Sequence, residues 1–195
     1  KRPVWKYVAL FFWPQGGWAR AFRYVNLRVG RLPDPPHRIA RGIFAGVFVT
    51  FSPLFGMHFF LAASLAWILR GNIIAALLAT FVGNPLTFLA IATASLQTGH
   101  YLLGTGKYLP AEVHRSLGGK FVDAGEDLRH NFWAMFTPER AHWDSLAVFY
   151  NDVFLPYLVG GIIPGLICGI TAYYISLPLL NVYQKRRKAR LTAKW

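Results

Sequence analysis

Three long stretches of the sequence contain no charged residue: Gly42 to Leu69, Gly71 to Gly106 and Val153 to Gln184. Each exceeds the roughly 18 apolar residues that suggest a membrane helix. Composition agrees, with 54% of residues hydrophobic and 15% charged, against about 25% charged in soluble domains. The expected class is an all-α integral membrane protein.

The first two stretches are interrupted. "VTFSPLFGMHFF" sets Ser52-Pro53 and Gly56, and "FVGNPLTFLAIA" sets Asn84-Pro85, into otherwise apolar sequence, 32 positions apart. The pieces before and between the breaks reach under about 20 Å at 1.5 Å per residue, too short for a hydrocarbon core of about 30 Å. The reading is of short broken or re-entrant helices, with a hairpin at 42–69 and a Pro-broken segment at 71–103; kinks within long tilted helices are the alternative. Ser and Asn are strong N-caps and Pro is favoured at the first helical position. Ser52 and Asn84 are therefore expected to cap half-helices that restart at Pro53 and Pro85. Such N-termini carry partial positive charge, and transporters direct them at anionic groups. The plainer reading is of prolines whose freed backbone groups are satisfied by neighbours. Pro164 is expected to mark a further break in the last apolar run.

The formal net charge is +13, and its distribution matters more than its size. Residues 1–41 hold nine Lys or Arg and one acid, Asp34, and the tail from Lys185 holds six basic residues and no acid. Basic clusters beside apolar runs follow the positive-inside pattern, which places both termini in the cytoplasm and favours anionic lipid headgroups over nucleic acid as partner. The expected organisation is a basic aromatic interfacial arm at 1–36, a membrane core with two Pro-broken segments at 37–104, and an amphipathic extramembrane segment at 105–156. A C-terminal transmembrane helix at 157–184 and a basic tail at 185–195 complete it. In the arm, Trp18, Phe22, Val25, Val29 and Leu32 share one helical face, as an interfacial amphipathic helix requires. If 71–103 crosses once, the segment 104–156 lies outside; if it too returns as a hairpin, that segment stays inside.

The stretch His37 to Phe88 joins a small-residue helix after a Pro-rich lead-in to a central Pro53-x-x-Gly56, an Arg70-Gly71-Asn72 corner and the block Asn84-Pro85-Leu86-Thr87. Together with the later "LVGGIIPGLICGITAYY", these features resemble the bacterial domain of unknown function 2062. The resemblance implies a bacterial inner-membrane protein and carries no activity with it.

The polar residues inside the apolar runs are the candidates for binding an anion or lipid: Ser52, His58, Arg70, Asn72, Asn84 and Thr87. Arg70 either marks a cytoplasmic turn by snorkelling or pairs with a phosphate, since charge in a membrane segment is costly and often functional. His58 is a buried histidine by default. Asn72 and Thr87 serve helix packing or line a polar cavity. Gly42 and Gly46, and Gly161, Gly165 and Gly169, recur at four-residue spacing, which lets helix backbones approach closely; packing within the chain is favoured over packing between subunits.

Enzyme motifs fail inspection. "GHYLLGTGKY" misplaces its lysine for a phosphate loop, and there is no nucleophile elbow. No histidine pair has i, i+4 spacing, and the single cysteine, Cys168, excludes a thiolate metal cluster. No catalytic residue, cofactor or metal is expected. Two functions remain: transport or flipping of an anionic amphiphile such as a lipid-linked phosphate, or a non-catalytic accessory subunit of a larger membrane complex. Membrane lipids are the expected partners in the first case, and a larger complex or homo-oligomer in the second.

Overall fold

The computed structural model describes residues 20, 28–29, 32–105, 119, 122, 125–126, 128–130 and 144–192. The described residues are helical, with no strand among them. The elements are α1 (Pro36–Val49), α2 (His58–Ile68), α3 (Ile73–Ala79, extended by a 3-10 turn at Thr80–Val82), α4 (Pro85–Leu102), α5 (Asp144–Phe149), a π turn (Tyr150–Phe154), α6 (Leu155–Gly160) and α7 (Ile162–Thr192). Contacts divide the chain into one unit of 1–50, 54–89 and 165–195, and a second of 51–53 and 90–164. Most of the interfacial arm and of the amphipathic segment expected at 105–156 lies outside the described residues.

In the first unit, Pro36 opens α1 in its first turn, where its fixed φ suits a helix and its missing N–H costs nothing. The helix stops at Thr50, whose hydroxyl donates back to the carbonyl of Val47 at 2.7 Å. Helices α1 and α3 run parallel, with their backbones in direct contact. A Cβ on Gly42 would lie 2.2 Å from the carbonyl oxygen of Asn72, and one on Gly46 would lie 2.2 Å from that of Ala76. Around this contact the core is mostly alanine: Ala40, Ala45, Ala62, Ala66, Ala75 and Ala76 are fully buried. Small residues replace bulk here, so van der Waals contact between backbones holds the helices together. The Gly42/Gly46 face therefore packs within the chain. On α7, Gly165 is buried and Gly169 faces the ring of Phe44. Further along α7, Leu180 packs with Ile39, Ala40 and Ala75.

Helix α2 returns antiparallel to α1 and ends in a Schellman motif. Gly71 N donates to Ala66 O at 2.7 Å and Arg70 N to Trp67 O at 3.0 Å, which satisfies the last carbonyls of the helix. Arg70 occupies the left-handed position of this motif, with φ of 52°.

The two breaks behave differently. At the second, Asn84 caps α4: its Oδ1 accepts from Leu86 N at 2.9 Å and Thr87 N at 3.1 Å, while Asn84 N donates to the Thr87 hydroxyl at 3.1 Å. This reciprocal pair is a capping box with Thr in the usual Glu position, and the chain bends by 86° between Ile73–Val82 and Pro85–Leu102. At the first, the helix does not restart at Pro53. It resumes at His58, and the N-cap position is held by Met57 without a side-chain cap. Ser52 therefore does not hold the N-cap of α2. The reason lies after the proline: Gly56 adopts φ of 86°, a turn conformation that carries the chain away before a helix can start. Both breaks come to one end of the α1–α3 bundle. Phe55 meets Phe88 edge-on with centroids 5.5 Å apart, Phe59 meets Phe81 at 6.2 Å, and a Cβ on Gly83 would sit 3.1 Å from Thr50.

In the second unit α4 and α6 cross at a further glycine contact. A Cβ on Gly99 would lie 1.8 Å from Pro156 O, and one on Gly160 would lie 2.0 Å from Ser95 O. Ala92, Leu96, Val153 and Tyr157 form the core beside it. Gly161 presses against Phe51, with the added Cβ 2.0 Å from its carbonyl oxygen. The last apolar run is divided at Gly161, between α6 and α7, and Pro164 stands in the first turn of α7, where a proline removes no bond the helix needs. The apolar helical stretch also starts earlier than expected, running Leu146–Arg187, and it is long and apolar enough to cross a membrane. The stretch "GHYLLGT" ends α4 as another Schellman motif, with Thr105 N on His100 O at 3.0 Å and Gly104 at φ of 69°.

These contacts set the expected stability of three variants. Gly46→Ala drives a methyl into the Ala76 carbonyl and should cost about 1–3 kcal/mol; Gly169→Ala, which meets the movable Phe44 ring at 3.0 Å and the Phe44 carbonyl oxygen at an ordinary 3.4 Å, should cost under about 1 kcal/mol. Asn84→Ala removes the α4 cap and should cost about 1 kcal/mol. Thermal unfolding of the detergent-solubilised variants measures all three.

Candidate functional site

At the end of the α1–α3 bundle opposite the breaks lies a cleft of about 600 Å³, lined by Asp34, Arg38, Arg41, Trp67, Arg70, Gly71, Asn72, Ile73 and Ile74. Local structure explains each placement. Arg38 and Arg41 are three apart on α1 and so share a face. The α2–α3 corner is pressed onto that helix, with a Cβ on Gly71 only 2.8 Å from Gly42 N. The left-handed backbone of Arg70 belongs to the same corner, which puts its side chain in the lining.

Asn72 ties the corner down. Its Oδ1 accepts from Ala75 N at 2.7 Å and caps α3, its backbone N–H donates to Arg38 O at 2.8 Å, and its Nδ2 donates to the Asp34 carboxylate. Asp34 also accepts from Arg38 Nη1 at 3.1 Å, and its carbonyl accepts from Gln184 Nε2 on α7 at 2.9 Å. The carboxylate is thus committed to Arg38 and Asn72. The Arg38–Asp34 pair is partly solvated and adds under about 1 kcal/mol.

The charges do not balance. Three arginines face one carboxylate, and among the described residues Arg41 and Arg70 have no acidic partner. The Nε of Arg41 is buried and, among the described residues, has no hydrogen-bond partner; an unsatisfied buried donor costs about 1–3 kcal/mol, more when charged. Guanidinium forks match the oxygens of phosphate and carboxylate, so an anion entering the cleft would satisfy groups the fold leaves open. The rim is apolar, with Trp67 74% and Ile74 55% exposed.

Of the six candidate residues read from the sequence, Arg70 and Asn72 line this cleft. Ser52, His58, Asn84 and Thr87 do not. His58 and Arg70 bracket α2 and stand about 18 Å apart along it, so one phosphate cannot reach both. His58 lies edge-on to Phe55, with centroids 5.7 Å apart. The N-terminus of α4 has no donor to offer an anion: Pro85 lacks an N–H, Leu86 and Thr87 give theirs to Asn84 Oδ1, and Phe88 gives its own to Asn84 O at 2.8 Å. The two breaks and the arginine cleft thus lie at opposite ends of the bundle. Asp34, Arg38 and Arg41 were not among the candidates. Their signal was two cations in the first half of a helix, where the macrodipole favours acids. No group of His, Cys, Asp or Glu among the described residues is arranged to hold a metal ion.

A family model described as "Uncharacterized protein conserved in bacteria (DUF2062)" matches residues 19–189, a range that contains every residue of the cleft. Neither the curated proteins nor the solved structures yielded a match. The match spans most of the sequence, and the chain belongs to the bacterial DUF2062 family.

Proposed function

We propose that this chain is a multi-pass protein of the bacterial cytoplasmic membrane that binds an anionic amphiphile, and moves it, through the arginine cleft. The observation that carries this reading is the pairing of two uncompensated arginines with an exposed apolar rim. A phosphate headgroup would meet Arg41 and Arg70 while its hydrocarbon lies along Trp67, Ile73 and Ile74. The membrane setting is supported by the apolar stretch Leu146–Arg187 and by exposed residues such as Phe60, Leu86, Ile167 and Leu179. The α1–α2 hairpin brings Arg70 back to the level of Arg38 and Arg41, and positive residues favour the cytoplasmic face. On this reading both termini and the cleft face the cytoplasm.

Native mass spectrometry of the detergent-purified protein tests the binding. Wild type is expected to retain a bound anionic phospholipid, and Arg41→Gln and Arg70→Gln to lose at least tenfold in occupancy. Equal retention in all three would sink the lipid reading, and co-purification with a larger complex would then favour an accessory subunit.

Arg70 permits a second, independent check. A non-glycine residue in the left-handed region costs roughly 1–2 kcal/mol, and glycine gives back part of that through a more flexible unfolded chain. Arg70→Gly is expected to be neutral or to gain up to about 1 kcal/mol in stability while losing lipid occupancy. A variant that unfolds at lower temperature would show that the side chain supports the fold instead of the ligand.

A further inference from the structure

We propose that the cleft selects a terminal phosphomonoester over a phosphodiester headgroup. This rests on the reading of the cleft as an anion site and names its substrate class. The ionisable groups that line it are Asp34, Arg38 and Arg41 on the α1 side and Arg70 at the α2–α3 corner. Asp34 neutralises one arginine, Arg38, through the 3.1 Å ion pair. Two positive charges remain, and they match a dianion. A phosphomonoester carries about −1.5 to −2 near neutral pH because its second pKa is about 6, and it presents three terminal oxygens. A phosphodiester carries one charge and presents two such oxygens.

Donor geometry points the same way. Arg41 has a buried Nε–H with no partner among the described residues, and the guanidinium of Arg70 enters no hydrogen bond or ion pair there. Two guanidinium groups can saturate three oxygens of one phosphate, whereas a diester leaves part of that donor set unfilled inside the cleft. The Asp34 carboxylate, held by Arg38 and Asn72, forms an acidic wall that sets an upper limit on ligand charge. A monoester also has a single organic substituent, and the cleft offers one apolar side for it, at Trp67, Ile73 and Ile74. A diester must place a second, polar substituent against the same wall.

The test uses the purified full chain in detergent with phosphatidic acid and phosphatidylglycerol of identical acyl chains, supplied together and read by native mass spectrometry. At pH 8 phosphatidic acid is expected to exceed phosphatidylglycerol by about tenfold in occupancy, a difference of about 1.4 kcal/mol. Below pH 6 the monoester gains a proton and becomes a monoanion, so the ratio should fall towards one. Arg41→Gln and Arg70→Gln should each bring the pH 8 ratio near one, with helical content by circular dichroism confirming that they fold. Inorganic phosphate alone distinguishes the source. If it displaces phosphatidic acid only at millimolar concentration, the ligand is a lipid; if it binds as tightly as phosphatidic acid, the ligand is a soluble monoester; either keeps the selectivity. Equal retention of both lipids in wild type, lost in both glutamine variants, overturns the monoester preference and leaves the anion site standing. Retention of neither lipid overturns both.

Discussion

Backbone contact between α1 and α3 is the constraint from which the cleft follows. Gly42 and Gly46 let the carbonyls of Asn72 and Ala76 lie against α1, at a distance that any side chain would forbid. With so little side-chain bulk between the helices, close van der Waals contact between backbones supplies the association. The same contact fixes the α2–α3 corner beside the first turns of α1. Asn72, one residue past that corner, then reaches Arg38 O, Ala75 N and Asp34 at once. A larger residue at Gly42 would separate α1 from the corner, and the arginines would no longer line one cavity.

Given that scaffold, the cleft gathers positive charge where a fold selected for stability alone would not. Arg38 lies in the first turn of α1, where the helix dipole disfavours cations by a few tenths of a kcal/mol or more, and Arg41 stands one turn further on. Arg70 holds a left-handed position for which glycine is the usual choice, although Gly71 follows directly. Nε of Arg41 is buried without a hydrogen-bond partner among the described residues. Each of these costs a little, and they fall within one cavity. Small local violations of this kind collect at functional sites when the rest of the structure is consistent.

The sequence made the all-helical class, the interrupted helices and the hairpin legible because hydrophobic run length and proline position are local signals. The breaks show where local signals stop. Ser52-Pro53 and Asn84-Pro85 have the same cap chemistry, but only Asn84 has a residue three positions on, Thr87, that returns the hydrogen bond. After Pro53 the chain reaches Gly56 in a left-handed turn, and its path is set by where α2 must return to pack on α1. Arg70 and Asn72 were readable as polar residues in an apolar run. Arg38 and Arg41 were not separable from the general positive-inside cluster, because what distinguishes them is a corner some thirty residues away. The Gly99–Gly160 crossing was hidden for a similar reason: each helix contributes one glycine to it, so neither shows a repeat.

On the proposed membrane reading, depth gives the two ends of the bundle different roles. Arg38 and Thr50 are about 18 Å apart along α1, more than half of a hydrocarbon core of about 30 Å. With the arginines at the headgroup level, as proposed, both breaks fall within the hydrocarbon. Interrupted backbone survives there only if its polar groups are satisfied within the protein. That requirement accounts for the Asn84–Thr87 box, the Thr50 hydroxyl on Val47 O and the aromatic pairs Phe55–Phe88 and Phe59–Phe81 that cover the turns. The polar residues at the breaks are therefore occupied in making reversal possible at that depth, while the arginines at the other end keep open hydrogen-bonding capacity. On the proposed reading an anionic headgroup sits at the arginine end, and its chains follow the apolar faces towards the breaks.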